Sequence, residues 1–428
     1  MNSKACTERR LRDCAMVSFR NVVYAISLCG LLTTVYLVSS LAMRETPKAT
    51  LSVPKLENTT LERLQLSKIR SHFLLWDQYN IPPIGQDKAA TSGKYFIYRC
   101  DEATMSLCGG WDNRVNGVLL SYIVANLTGR VFKFEHLKPA CDLTRYLLPN
   151  EVDWHLPKSF HKRVIPSKDV KLIKRVDDNK FLDSLPTMNF EGMSPAEVPY
   201  VYFLGNRNYE LRLKCSTVYQ NQLSWMRHLS RGDIKAAVYK RLFKLSPNLD
   251  VKLKNLLAQN LPTAKHRLIC AHLRIGANPS NKYDGKIQDI NTIGNVWSFV
   301  KNHSKTDFDR VFVMSDANAA IEDAKKQSFG HRLILTDGPI VHVDRNRGLT
   351  TEHKCAGLEK LIFDQHILMN CDVLMIGSSG ISRLAAYIRN TDEGLYCYSS
   401  AKGTVEPCTR QDFEKHNFNG GNMSSEDC

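Results

Sequence analysis

His272-Leu273-Arg274-Ile275-Gly276 ends an apolar run that begins at Ile269, so a permanent cation and a glycine stand at the end of what reads as a buried strand. Arginine offers a planar fork of N–H donors that matches phosphate oxygens, and glycine lets backbone amides approach an anion closely. The plain structural alternative pairs Arg274 with a carboxylate and satisfies His272 within a core. A second anion-binding pattern is Gly377-Ser378-Ser379-Gly380-Ile381-Ser382-Arg383, which follows the apolar run Val373-Leu374-Met375-Ile376 and opens a helix. Amides and hydroxyls at a helix N-terminus suit a phosphate; the alternative is a capped helix with Arg383 in a surface pair. Asp316 follows Val311-Phe312-Val313-Met314, where it could accept from a purine or ribose or cap the next helix. In the first half, Gly109-Gly110-Trp111-Asp112-Asn113-Arg114 forms a glycine-rich turn, with Gly110, Asn113 and Arg114 as candidate cleft-lining residues. Its structural alternative has Asn113 capping a helix and Arg114 facing solvent.

These residues need a scaffold that brings strand ends together. Lys94–Arg99 reads as a strand, Val115, Val118, Leu119 and Tyr122 follow helical spacing up to Gly129, and Arg130–Glu135 reads as the next strand. Between Trp154 and Pro262 periodicity is weak, apart from a helical segment from Leu223 to Phe243. The last third alternates clearly: strands at 268–274, 310–315, 332–336 and 372–376, with helices at 291–302, 317–328, 352–369 and after 377. Such a pattern predicts an α/β class with parallel, doubly wound sheets, in which Arg274, Asp316 and Gly377–Ser379 share one rim. The length predicts two domains, at 93–262 and 263–428.

The chain ends point to a compartment. Residues 22–43 are uncharged and mostly apolar, and as a helix would span about 33 Å, enough to cross a bilayer. The basic tail 1–21 predicts a cytosolic N-terminus and a type II anchor, followed by a proline-bearing stem over 44–92. A cleaved signal peptide is the alternative, against which stand the length of the run and the lack of a compact small-residue cleavage site. Ten of the 13 cysteines follow this segment, on the oxidising side. Cys100, Cys108 and Cys141 cluster early and Cys397, Cys408 and Cys428 late, which suggests bridges within each cluster; Cys270 and Cys371 lie on apolar runs and read as buried thiols. Glycosylation sequons stand at Asn58, Asn126, Asn302 and Asn422, with Asn126 returning to the apolar face of its helix and expected to be partly buried. No Cys/His grouping has zinc spacing. The net charge of +15 would suit nucleic acid in a nuclear chain, but behind a membrane anchor it suits nucleotide sugars and acidic glycans. The densest basic run, Lys158 to Arg175, reads as a solvated face.

The order and spacing of His272–Gly276, Phe312–Asp316 and Asp372–Arg383 resemble the GDP-fucose fucosyltransferase superfamily, the group of α1,2-, α1,6- and protein O-fucosyltransferases. The His-Leu-Arg-Ile-Gly wording looks most like the protein O-fucosyltransferases, and Gly109–Arg114 resembles the glycine-rich, Asn-containing loop of their first domain. The resemblance implies a GT-B fold, two Rossmann-like domains facing a cleft, and an inverting enzyme that needs no metal or other cofactor. Arg274 would bind the β-phosphate and stabilise the GDP leaving group, with His272 and Gly276 shaping the pocket. Asp316 would contact the nucleoside; Ser378, Ser379, Ser382 and Arg383 would hold the diphosphate; Asn113 and Arg114 would line the acceptor side. For the base on the acceptor hydroxyl, Asp112 and Glu135 are positional candidates. Two departures stand out. Many members carry an Asp soon after the arginine motif, whereas Gly276 here leads into Ala277-Asn278-Pro279. Asp307-Phe308-Asp309 matches a DxD metal motif by letters but precedes its strand, and reads as a solvated turn. The expectation is a Golgi type II fucosyltransferase acting on a glycan or glycoprotein, with protein O-fucosylation or a catalytically silent lumenal binding protein as alternatives.

Overall fold

Tyr95–Cys100 (β1) is buried at Phe96, Ile97, Tyr98 and Cys100, the mark of a parallel strand covered on both faces. The computed structural model describes residues 93–412 except 102–104, 157–159, 161–163, 279–280 and 401, and all described residues fall in one compact unit. The expected anchor, the stem, Asn58 and Asn422 lie outside them; among the described residues no helix is long and apolar enough to cross a membrane. Helix α1 (Trp111–Leu127) follows β1 and ends where Gly129 takes a φ of +60°, as the glycine predicts. Beyond it come β2 (Val131–His136), β3 (Leu147–Pro149), β4 (Val170–Arg175) and β5 (Tyr200–Gly205). Four of these strands make an all-parallel sheet in the order β2-β1-β5-β4. The basic run supplies β4, an edge strand with Lys174 exposed.

The helix expected over 223–243 is shorter, α2 (Arg231–Leu242). Ser230 accepts from the Asp233 amide while Asp233 accepts from the Ser230 amide, a capping box that starts the helix there. β6 (Phe243–Leu245) then pairs antiparallel with β3, and α3 (Pro247–Asn260) leads to the second sheet.

That sheet begins with β7 (Arg267–Leu273), followed by a hairpin of β8 (Gly276–Asn278) and β9 (Asn281–Lys286). Helix α4 (Gly294–His303), β10 (Asp309–Ser315), α5 (Asn318–Lys326) and β11 (Leu333–Ile334) come next. The chain closes with α6 (Thr351–Leu368), β12 (Val373–Ile376), α7 (Gly380–Arg389), β13 (Leu395–Ser399) and β14 (Thr404–Pro407). The sheet order is β11-β10-β7-β12-β13-β14, parallel except for β14. After β7 the chain first builds outward through β10 and β11, then returns to β12 on the other side. A crevice therefore opens at the C-terminal end of β7, where such sheets bind ligands.

One apolar core runs through both sheets, from Phe96 and Trp111 to Leu268, Phe312 and Leu374. Disulfides Cys100–Cys108 and Cys397–Cys408 are local, as their clusters suggest. Cys141 instead bridges to Cys355, 214 residues away on α6, and joins the two halves. Cys270 and Cys371 form a bridge, which corrects their reading as thiols: β7 and β12 are neighbours, a fact that chain spacing does not carry.

Candidate active site

A cavity of about 550 Å³ lies between the Gly109–Asn113 turn and the ends of β7, β10 and β12. Parallel register sets Leu273 opposite Ser315, so Arg274 and Asp316 leave adjacent strands side by side. The Arg274 guanidinium contacts Asp316 through one branch and Asp284 through the other, and Asp284 also holds Arg345. Asp316 further accepts from the amides of Ile275 at 2.7 Å and Gly276 at 2.9 Å. Its oxygens fix the turn after β7, and Asp316 also lines the cavity.

Asp284 answers the apparent loss of a carboxylate after the arginine motif. Ten residues beyond Arg274, it is returned to the guanidinium by the β8–β9 hairpin. Gly276 makes this return feasible: its φ is +86° and a Cβ there would overlap the Gly285 carbonyl. Gly276 thus shapes the site from behind and is not on the cavity wall.

His272 lines the cavity. Burial, reinforced by Arg274, lowers its pKa to about 3, so the ring stays neutral and adds no second cation for an anion. Its Nδ1 lies 3.0 Å from Ser382 Oγ, which donates to the Ser379 carbonyl at 3.2 Å. Ser382 is fully buried and off the wall, so it positions His272 and the 377–380 turn and does not meet a ligand. Ser378, Ser379 and Arg383 do line the cavity, at the N-terminus of α7.

The opposite wall includes Gly110, Trp111, Asp112 and Asn113. Trp111 Nε1 donates to Gln365 Oε1 at 3.1 Å, joining α1 to α6. Asp112 abuts the start of α7, where a Cβ on Gly380 would overlap its carboxylate. The buried Lys235 ammonium, itself lowered by desolvation, is favoured by Asp112 and Glu210. Two expectations fail on this side. Arg114 is wholly buried, donates to the carbonyls of Gly109 and Lys138 and sits 2.8 Å from His136 Nε2; it braces the turn and does not line the cleft. Burial lowers its pKa to about 10. Glu135 is buried against Arg99 at 3.2 Å and is absent from the cavity wall, which removes it as a base.

The sequence reading missed the segment Pro339–Arg345 and the α6 pair Lys360 and Asp364, all on the wall. Asp364 is 3% exposed; burial raises its pKa despite Lys360 at 3.0 Å, and its Oδ1 has no hydrogen bond. A carboxylate set among Ile362, Phe363 and Ile367 on one helix was the available signal. Pro339–Arg345 carries no periodicity and offered none.

Among the described residues no group of three His, Cys, Asp or Glu is placed to hold a metal ion. Asp309 of the DxD look-alike is buried and accepts from Arg267 and Thr306, while Asp307 is exposed. Of the described sequons, Asn302 is exposed near the end of α4; Asn126 is partly buried, as expected, and donates to the Tyr122 carbonyl.

No protein-family model and no curated protein sequence matches the chain. Among solved structures, a mutant of Arabidopsis thaliana FUT1 in complex with GDP is similar over 78% of this chain and 78% of its own, at 13% identity and a TM-score of 0.50. NodZ alpha-1,6-fucosyltransferase soaked with GDP-fucose is similar over 73% of this chain and 98% of its own, at 11% identity and a TM-score of 0.43. For the fucosyltransferase NodZ from Bradyrhizobium the shares are 73% and 97%, at 10% identity and a TM-score of 0.42. The similarity to the Arabidopsis protein shows that the chain shares its mixed α/β fold.

Proposed function

We propose that the chain is a fucosyltransferase that moves L-fucose from GDP-fucose to a glycan hydroxyl, with inversion and without a metal. The observation that carries this reading is the meeting of Arg274 with Ser378, Ser379 and the start of α7 across one cavity. The structural neighbour from Arabidopsis holds GDP, in agreement with a nucleoside diphosphate here. The cavity volume of about 550 Å³ is of ligand-pocket size.

In this mechanism the diphosphate lies against the α7 N-terminus, where amides, two hydroxyls and Arg383 meet its charge. Arg274 faces the β-phosphate. As the C1–O bond of the fucosyl group breaks, negative charge grows on that phosphate, and a prepositioned guanidinium lowers the barrier by matching it. Asp316 holds the Arg274 fork before ligand arrives, so little reorganisation remains. Asp364, on the wall beside Lys360, is suited to accept from the N–H edge of a base. The acceptor enters on the side of Gly110 to Asn113. By the sequence of residues 1–43, the protein would be held in the Golgi membrane with this site lumenal.

Radiolabelled GDP-fucose, given to the full chain in detergent micelles with arrays of glycans and folded glycoproteins, tests the reading. Fucose transfer and GDP release are expected. Transfer to peptide hydroxyls alone would favour protein O-fucosylation, which the His-Leu-Arg-Ile-Gly wording supports. GDP binding with no transfer would leave a silent binding protein, and neither binding nor turnover would overturn the donor site itself.

A further inference from the structure

We propose that His342, oriented by Asp344, is the general base that takes the proton from the acceptor hydroxyl; this rests on the fucosyl-transfer reading. His342 lines the cavity on the segment between β11 and α6, and its Nδ1 contacts the Asp344 carboxylate. The ring faces the glycine-rich turn of the first half: a Cβ on Gly110 would lie 3.9 Å from His342 Cε1. It therefore stands where the two halves meet, on the side left for the acceptor.

Its neighbours tie it to the leaving group. Arg345, adjoining Asp344, is ion-paired to Asp284, and Asp284 contacts Arg274. Arg345, next in sequence to Asp344, and the leaving-group arginine thus share one carboxylate. Asp344 is 7% exposed at its side chain, yet His342, Arg114 and Arg345 outweigh its desolvation and hold its pKa below the ordinary carboxylate value. An ionised carboxylate beside Nδ1 favours the imidazolium that forms, while Nε2 remains for the substrate. The positional candidates are less well placed, since Asp112 is set against the start of α7 and Glu135 is off the wall. Asn346 donates to the carbonyls of His342 and Val343 at 3.0 and 2.7 Å and braces the loop.

The step balances as an in-line displacement. His342 Nε2 receives the hydroxyl proton as the acceptor oxygen forms its bond to fucosyl C1. The bond from C1 to the β-phosphate oxygen breaks, its electron pair leaves with GDP, and Arg274 faces the new charge. Imidazolium, fucosylated acceptor and GDP are the products.

GDP affinity by calorimetry and GDP release from GDP-fucose, with water or galactose- and N-acetylglucosamine-terminated oligosaccharides as acceptors, test the proposal on the full chain. His342→Ala is expected to lower kcat about 100- to 10,000-fold while GDP affinity holds, with added imidazole restoring part of the rate. Asp344→Asn, a positioning change, should lower kcat about tenfold with KM for GDP-fucose unchanged. The proposal is overturned if His342→Ala keeps kcat within about threefold, loses GDP affinity in step with kcat, or gains nothing from imidazole. A wild-type chain that neither binds GDP nor releases it from GDP-fucose overturns the transferase reading and the base with it.

Discussion

On the rim formed by β7, β10 and β12, polar side chains stand on strand ends or a helix start, and the sheet register sets their spacing. The facing wall is assembled differently, from Gly109, Gly110 and the first turn of α1, and from the Pro339–Arg345 segment, which reaches the cavity as a loop between β11 and α6. A rim tied to a parallel sheet can preorganise charge for a leaving group that is always the same. A loop wall can change shape and sequence at little cost to the core, which suits recognition of an acceptor.

The largest expected effect tests the rim. Arg274→Ala should lower turnover about 100- to 1,000-fold, and Arg274→Lys should recover little because a point charge does not replace a planar fork. Near-normal GDP release by either variant would remove the distinction between the two walls. Next comes the bridge between halves: replacing Cys141 and Cys355 by Ser should cost about 2–5 kcal/mol in denaturant unfolding, given its long loop. Unchanged stability would show that the shared core alone holds the walls together.

Acid should act through two buried histidines, His272 on the rim and His366 on α6. Burial holds His272 and His366 neutral, with pKa values of about 3 and 4 in the fold against an unfolded value near 6.5. Between those limits the unfolded chain takes up the protons and the folded chain does not. The stabilisation is complete above about pH 6.5 and falls toward acid by about 1.4 kcal/mol per pH unit for each group. Thermal unfolding across pH 7 to 4 should show this slope, and His366→Gln should reduce it; an unaltered slope would rule His366 out as a source.

The rim was legible in the sequence because each of its parts is contiguous: a strand, one or two polar residues, then a turn. His272–Gly276 and Gly377–Arg383 carried both the strand period and the chemistry. Asp284 was missed because its distance to Arg274 depends on a hairpin, and hairpin β8–β9 has no apolar alternation to announce it. Arg114 and Glu135 were misplaced for a related reason. A charged residue beside a glycine-rich turn reads as exposed, but Arg114 finds the Gly109 and Lys138 carbonyls and Glu135 finds Arg99, which pays for their burial. The helix expected from Leu223 began late because a capping box at Ser230 outweighed apolar spacing. Pairing of Cys141 with Cys355 depends on how the halves pack, which no local pattern records.

The smallest expected effect bears on the link between the walls. Asp284 holds Arg274 and Arg345 together, so a diphosphate arriving at Arg274 must compete with its carboxylate. Asp284→Asn removes that competing charge and leaves Asp316 to orient the guanidinium through its contacts with Arg274 and the Ile275 and Gly276 amides. If the ligand-free state is one in which Asp284 occupies the phosphate's place, GDP affinity should rise about threefold to tenfold, since the cost of exposing the binding-competent arginine falls. Turnover should not rise with it, because Arg345 and the His342 loop lose their tie to the rim. Calorimetry with GDP separates this from the opposite role. A fall in affinity would mean that Asp284 positions the Arg274 fork for the phosphate, and the hairpin would then belong to the preorganised rim and not to the adaptable wall.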